Sequence, residues 1–328
     1  MGAEFAPKSI EGVEIMKVTK LGKTRNKSEN GVLLTLKKDW KHNYSLYIMI
    51  LPVLAFYFLF AYKPMYGLLM AFQKYDVTKG ILGSDWVGLK NFKRFFMDPY
   101  FVRNITNTLK ISLSSLVFAF PAPIIFALLI NEINNRWFKK MVQTITYLPH
   151  FISLVVICSL ITIFVDSDGI ITKILGRGES LLYDAAAFVP IYIISDIWQG
   201  IGWGSIMYLA ALTSIDEQLY EAAGLDGAGK FKQVIHVTLP GILPTIIIMF
   251  ILRTGNILNV GYEKIMLLTN QLNAESSEIL SYYIYKKGFI SMDYGLSTAA
   301  GFFNSTINLL FVCVSNYLSG KYSETSMW

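Results

Sequence analysis

Long apolar segments separated by polar loops constrain the fold of this chain more than any other feature. Only 16% of its 328 residues are charged and 53% are hydrophobic, whereas a soluble domain carries about 25% charged residues. The charge is missing from blocks of about 20 residues, the length that a helix needs to cross a hydrocarbon core. The sequence therefore predicts an all-α protein that crosses a membrane several times.

Six apolar blocks predict six transmembrane helices, with approximate bounds 43–62, 108–130, 141–165, 188–212, 241–258 and 296–318. The predicted organisation is a polar N-terminal tail at 1–42, a membrane domain at 43–320 and a short C-terminal tail at 321–328. A polar insert at 213–240 separates the fourth block from the fifth. An even number of crossings puts both tails and this insert on the same side of the membrane.

Basic residues in the N-terminal tail predict which side that is. The net charge is +6, and lysines and arginines cluster between Lys17 and Lys41, just before the first block. Cytoplasmic flanks of transmembrane helices are enriched in these residues. We therefore expect a cytoplasmic N-terminus and assign the positive charge to topology, not to nucleic-acid binding. The basic segment 63–104 runs against this bias, which long translocated segments follow weakly.

The insert carries the most specific motif of the chain. It reads Glu221-Ala222-Ala223, three residues, Gly227, nine residues, then Val237-Thr238-Leu239-Pro240. Small alanines let a helix lie close to another protein, glycine lets the backbone leave that helix, and proline is favoured at a helix start. We therefore expect a short helix, a turn at Gly227, and a fifth span that begins at Leu239-Pro240.

At this spacing the insert resembles the EAA loop of binding-protein-dependent ABC importer permeases, with Val237 in place of the usual isoleucine. The resemblance covers residues 44 to 320 and includes six spans, a long first external loop and Asp226-Gly227-Ala228. Within that family the chain looks most like the carbohydrate branch. Its long basic tail and tyrosine-rich spans are similar to those of permeases for oligosaccharides and polysaccharides, alginate importers included.

The resemblance implies a type I ABC importer permease fold in a bacterial inner (cytoplasmic) membrane. It also implies the partners: a second permease subunit, two ATP-binding cassette subunits, a periplasmic or lipid-anchored solute-binding protein, a sugar substrate and the surrounding membrane lipid. ATP and magnesium would bind the cassette subunits, with no cofactor on this chain. The insert would dock in a cleft of one cassette through Glu221, Ala222, Ala223, Asp226, Gly227, Leu239 and Pro240.

Charged residues inside the fourth and fifth blocks point to a site within the membrane. Asp196 lies eight residues after Phe188, and Arg253 lies twelve residues after Gly241. At 1.5 Å per residue these positions are both roughly 12 Å below the outer face of a core about 30 Å thick. Polar groups at such depth face a bundle interior or a wet cavity. We expect the two side chains to form an ion pair, or both to line a cavity in which Arg253 binds the carboxylate of an acidic sugar.

Aromatic faces and amide groups near this depth are the side chains that a sugar pathway requires. Together with Arg253, the predicted pathway residues are Trp198, Gln199, Trp203, Tyr208, Asn256, Asn259 and Asn304. Each of them alone is more often a packing or interfacial residue.

Other readings of the sequence are weaker. The segment Gly224 to Lys230 imitates a phosphate-binding loop, but Phe231 stands where a serine or threonine should hold magnesium. The three histidines and two cysteines lack metal-site spacing.

The alternatives left open are a permease for another class of solute, a membrane scaffold whose insert binds a cytoplasmic partner without transport, and an integral-membrane enzyme. Costly polar groups in the spans argue against a scaffold, and the lack of a paired acid and base argues against an enzyme.

Overall fold

The computed structural model describes residues 30–323, which are mainly helical. The chain divides into two compact units, Met1–Pro64 and Met65–Trp328. The prediction of an all-α chain is confirmed, since the only strands in the described residues form a two-residue by two-residue hairpin.

The first unit consists of helix α1 (Asn30–Tyr57), a π-helical turn at Phe58–Tyr62, and the start of α2 (Lys63–Met65). Helix α1 includes residues 30–42, which belong to the predicted polar N-terminal tail. This segment contains no proline and many leucines and lysines, which favour helix. A kink at Asn43 (φ −119°, ψ 22°) separates it from the apolar part. Residues 1–29 of the predicted tail lie outside the described residues.

The second unit begins with a 3₁₀ segment, Tyr66–Phe72, and the antiparallel pair β1 (Gln73–Lys74) and β2 (Asp85–Trp86). Its helices are α3 (Gly80–Gly83), α4 (Lys90–Phe96), α5 (Phe101–Ser114), α6 (Pro121–Asn131), α7 (Arg136–Tyr147), α8 (Leu154–Val165), α9 (Ile170–Ile174), α10 (Ala185–Leu212), α11 (Glu217–Leu225), α12 (Lys230–Gln233), α13 (Leu239–Thr254), α14 (Tyr262–Leu268), α15 (Ala274–Ser277), α16 (Leu280–Tyr285) and α17 (Tyr294–Ser323).

Six helical segments of the described chain are long and apolar enough to cross a membrane. They are Asn43–Phe72, Phe101–Asn131, Leu154–Ile174, Ala185–Leu212, Lys230–Thr254 and Tyr294–Lys321. The number agrees with the sequence prediction, but several bounds do not. The first segment extends ten residues beyond the predicted end at Tyr62, and the second begins at Phe101 instead of position 108. The second segment begins earlier because its helix includes polar residues such as Arg103 and Asn104, and the first ends later because its helix continues past Lys63 and Pro64.

In three of these segments a π-helical turn, which is wider than an α-helical turn, precedes a proline. The π turns Phe58–Tyr62, Ser115–Ala119 and Val234–Thr238 each end two residues before a proline, at Pro64, Pro121 and Pro240. A proline removes one helical hydrogen bond and crowds the preceding turn. A π turn accommodates this crowding because its bonds run to the fifth residue back, as from Phe120 N–H to the Ser115 carbonyl.

The fifth crossing therefore begins earlier than predicted. Helical structure runs from Lys230 through the π turn into α13, so Leu239 and Pro240 lie inside a continuous helix and do not start it. The sequence prediction of a helix start at this proline was wrong, because the π turn absorbs the proline without ending the helix.

The third crossing, predicted as one helix over 141–165, is broken. Helix α7 ends at Tyr147, a 3₁₀ turn follows at Leu148–Phe151, and α8 starts after Ser153, whose hydroxyl accepts from Val156 N–H at 3.5 Å. Pro149 and this new cap divide the helix. Helix α8 alone covers only about 18 Å, and together with α9 it forms the crossing segment Leu154–Ile174, which begins after α7. The end of α7 packs against Gly202, where a Cβ atom would collide with the Thr146 carbonyl.

Helix α10 is the centre of the second unit, where it packs against α6, α7 and α13. Buried side chains of α8, α10 and α14, including Ile157, Phe188 and Ile265, form one apolar cluster. A second cluster joins Ala127, Tyr208 and Ile242 on α6, α10 and α13. This packing fixes the faces of α10 and α13 that carry the charged residues described next.

Candidate functional site

The polar insert folds into a short helix whose two ends are fixed by local signals. The Asp216 carboxylate caps α11 by accepting from Gln218 N–H at 2.9 Å. At the other end Gly227 has φ 75°, the left-handed region that glycine tolerates. Ala228 N–H bonds to the Ala223 carbonyl at 2.9 Å and Gly227 N–H to the Gly224 carbonyl at 3.0 Å. These two bonds form a Schellman motif, so the predicted turn at Gly227 is present.

Helix α11 has no buried residue, and its surface is available to another protein. Glu221, Ala222 and Asp226 are exposed, and Ala223 is half-buried. Leu225 is 91% exposed and Phe231, just beyond the turn, is 77% exposed. These two apolar residues were not among the predicted contact residues, because they lie outside the motif positions Glu221, Ala222, Ala223, Asp226 and Gly227. Leu239 and Pro240 lie apart from this surface, half-buried and exposed respectively, inside the following helix.

A hydrogen bond ties α11 to the helix that follows it. The Tyr220 hydroxyl lies 3.0 Å from Thr238 Oγ1, and the Gln233 amide donates to the Tyr220 carbonyl at 3.4 Å. Thr238 is buried and lies next to the start of α13. Helix α11 is therefore in direct contact with the fifth crossing segment.

The two charged residues predicted at equal depth lie next to each other. Arg253 Nη2 is 3.7 Å from Asp196 Oδ2, and the same nitrogen donates to the Ser115 hydroxyl. The three residues come from α13, α10 and the π turn after α5. The arginine and aspartate side chains are 48% and 35% exposed, so they border a cavity. An ion pair and a cavity lining, the two options left open by the sequence, therefore coexist in this geometry.

Two polar cavities meet at this ion pair. One of about 280 Å³ is lined by Tyr192, Gln199, Asn259 and Lys264 and lies toward the Ala185 end of α10. The other, of about 500 Å³, is lined by Pro123, Gly204 and Tyr208 and lies toward the Leu212 end. Asp196, Arg253 and Asn256 line both. The ion pair therefore forms a boundary between two compartments inside the membrane segments.

The remaining predicted pathway residues are divided among different environments. Trp198 lines a separate apolar cavity of about 690 Å³ between α8, α9 and α10. Trp203 stacks on the His150 ring, with centroids 4.6 Å apart, at the break between α7 and α8. The Asn304 amide donates to Asn259 Oδ1 at 2.7 Å, while its own Oδ1 is buried without a hydrogen-bond partner.

Ion pairs at the Phe101 end of α5 join this helix to the segment between the fifth and sixth crossings. Glu278 pairs with both Arg103 and Lys286. Asp98 accepts from the Tyr283 hydroxyl at 2.7 Å and lies 3.7 Å from Lys287 Nζ. Burial raises the pKa of Tyr283, and the bond to Asp98 raises it further. These pairs fix the loop that carries α14 to α16 over the 280 Å³ cavity.

The described residues contain no cluster of three or more metal-binding side chains. The charged residues that line the two cavities at the ion pair are Asp196, Arg253 and Lys264. Lys264 was missed by the sequence analysis because it lies outside the six apolar blocks. A lone lysine followed by the apolar run Ile265 to Leu268 was the available signal.

Comparison with known proteins places these features in a family. Residues 119–324 match the model of the binding-protein-dependent transport system inner membrane component. The protein LplB of Bacillus subtilis (strain 168) is 40% identical over 302 residues, which cover 90% of this chain and 93% of that protein. The polygalacturonan/rhamnogalacturonan transport system permease protein YteP of the same organism is 42% identical over 288 residues, or 86% of this chain and 90% of that protein.

A solved structure agrees with the whole fold. The crystal structure of a bacterial ABC transporter involved in the import of the acidic polysaccharide alginate contains a chain with 40% identity and a TM-score of 0.82, covering 88% of this chain and 99% of that one. The family resemblance inferred from the Glu221 segment is thereby confirmed. This chain belongs to the family of binding-protein-dependent transport system inner membrane components.

Proposed function

We propose that this chain is the permease subunit of an ATP-driven importer that carries oligosaccharides or polysaccharides across a bacterial inner membrane. The observation that carries the proposal is the pair of polar cavities that meet at Asp196 and Arg253 within the crossing segments. Polar compartments at this depth are costly unless they serve a pathway. The sugar cargo is supported by the named substrates of the related polygalacturonan/rhamnogalacturonan permease and alginate importer.

In this proposal the chain does not hydrolyse ATP. Two cassette subunits bind ATP and magnesium, a second permease subunit completes the pathway, and a periplasmic or lipid-anchored binding protein delivers the sugar. Residues 43–320 form the membrane domain, and the tails 1–42 and 321–328 lie in the cytoplasm with α11. The need for partners is consistent with the exposed cavities and with the exposed surface of α11.

The coupling step begins at α11. A cassette subunit contacts Glu221, Ala222 and Ala223, together with the exposed apolar residue Leu225. When the cassettes close on ATP, α11 moves with them and pulls on α13 through the contact between Tyr220 and Thr238. Because Arg253 is on α13 and Asp196 on α10, this motion changes the boundary between the two cavities.

Reconstitution of the complete transporter tests the proposal. Proteoliposomes with both permeases, both cassettes and the binding protein should take up oligosaccharide and hydrolyse ATP faster when loaded binding protein is present. Glu221→Lys should reduce uptake by about 100-fold, since loss of a charged contact together with a repulsive one costs about 3 kcal/mol. It should also weaken co-purification of the cassettes.

A matched charge reversal, Asp168→Lys, provides the control. Asp168 is a 97% exposed carboxylate on the turn between α8 and α9, where its partner is the exposed Lys173. This variant should transport like the unchanged chain. Normal assembly and uptake in the Glu221→Lys variant would refute the coupling role of α11, and an unchanged chain that takes up no sugar would refute the function.

A further inference from the structure

A buried lysine next to the 280 Å³ cavity has no carboxylate partner. Lys264 is 4% exposed. Its ammonium donates to the Tyr192 carbonyl at 3.2 Å and lies 4.4 Å from the centroid of the Tyr192 ring. Among the described side chains no carboxylate oxygen lies within 4.0 Å of this nitrogen. Two of the three ammonium hydrogens therefore remain for other acceptors.

The position of Lys264 is deep for a charged group. Helix α14 packs against α8, and its Ile265 and Leu268 are buried in the apolar cluster with α10. Tyr192, to which Lys264 is bonded, lies seven residues into α10, roughly 10 Å from the start of that helix. Charged groups at such depth are rare, and they mark substrate or ion pathways when they face a cavity.

The charges that line this cavity do not balance. Its charged lining residues are Arg253, Lys264 and Asp196, which makes two cations and one carboxylate. Asp196 is within 4.0 Å of Arg253 but not of Lys264. A buried cation without a paired carboxylate is costly, so an anion that entered the cavity would be stabilised. The volume is just below the roughly 300–1,000 Å³ of sites for drug-sized ligands, which suits one sugar residue.

We propose that Lys264, with Arg253, binds the carboxylate of a uronic acid residue of the cargo and thereby selects acidic over neutral oligosaccharides. The inference rests on the proposed transport function and adds the residue that distinguishes charged from neutral sugars. Gln199, which lines the same cavity, can bind a hydroxyl group of the sugar. Arg253 is already engaged by Asp196 and Ser115, so Lys264 offers the more available positive charge.

The test compares two cargoes that differ only in charge: an oligogalacturonate and its carboxyl-reduced, neutral counterpart of the same length and linkage. Uptake of each is measured in proteoliposomes with the complete transporter and an excess of loaded binding protein. Lys264→Gln removes the charge but keeps a donor for the Tyr192 carbonyl. It should lower the ratio of acidic to neutral uptake about tenfold, the effect of about 1.4 kcal/mol. Lys264→Arg should retain most of this ratio.

Lys173→Met serves as the control, because it removes an exposed lysine from α9, outside the cavity. Its uptake ratio should equal that of the unchanged chain. Two results would show that Lys264 is a packing residue and would overturn the proposal. One is an equal loss of uptake for both cargoes in Lys264→Gln. The other is a ratio of acidic to neutral uptake that falls as much in Lys264→Arg as in Lys264→Gln. If the unchanged chain took up neither cargo, both this proposal and the proposed function would fail.

Discussion

Helix α11 and the interior around Asp196 are organised in opposite ways. Helix α11 is defined by groups within a dozen residues of each other, from the Asp216 cap to the Gly227 turn, and it has no buried residue. The interior brings together Ser115, Asp196 and Arg253, which are far apart in sequence. Because α11 is held by local hydrogen bonds, its surface stays free to bind a partner. The charges at Asp196 and Arg253, in contrast, are kept inside the membrane segments by packing between distant parts of the chain.

Among changes to the interior, the largest effect is expected from breaking the ion pair. Arg253→Ala removes the cation beside Asp196 and a ligand from both cavities. A charged hydrogen bond contributes about 1.5–3 kcal/mol, so uptake of oligogalacturonate should fall tenfold to hundredfold. Neutral sugar should lose less. Equal losses for the two cargoes would show that Arg253 supports only the protein structure.

Exchanging the two charged residues tests whether Asp196 and Arg253 act as a pair or independently. The variant with Asp196→Arg and Arg253→Asp keeps both charges at the boundary between the cavities. It should recover neutral uptake relative to either single change if the two side chains act as a pair. Additive losses in the double variant would mean that they act independently, and the comparison with the locally encoded insert would lose its basis.

A smaller effect is expected from crowding the interior. In Gly202→Ala the added methyl would collide with the Thr146 carbonyl at the end of α7. Overpacking of this kind costs about 1–3 kcal/mol, so the apparent melting temperature of the purified complex should fall by about 3 °C or more.

Gly200→Ala is the matched control on the same helix, because no atom lies within 4 Å of the new methyl group. It should be neutral or slightly stabilising, since alanine is the better helix former by about 1 kcal/mol. If both variants lowered the melting temperature equally, close contact between α7 and α10 would not be what requires a glycine.

The smallest effect is expected at the turn that ends α11. Gly227→Ala meets no neighbouring atom, but its φ of 75° is unfavourable for alanine by about 1 kcal/mol. Hydrogen exchange should accelerate at the Gly227 and Ala228 amides, with uptake reduced only a few-fold. Gly229→Ala, at φ −67° and also without a close neighbour, should leave exchange unchanged. A loss of melting temperature as large as that of Gly202→Ala would mean that the insert is not locally encoded.

The same contrast explains what could be predicted from sequence. The turn at Gly227 followed from glycine alone, and the equal depth of Asp196 and Arg253 followed from the constant rise of a helix. The break in the third crossing was missed although Pro149 and Ser153 signal it, because an apolar run continues through both. Lys264 could not be placed at depth, since its position depends on the packing of α14 against α8.

The π turns before Pro64, Pro121 and Pro240 also determine the direction in which the side chains of the following helices point. Each turn accommodates one extra residue, and one residue corresponds to about 100° of rotation about the helix axis. If a replaced proline allowed the turn to tighten, every later side chain of that helix would swing by this angle. In the fifth crossing, Arg253 would then point away from Asp196 and toward lipid or a neighbouring helix.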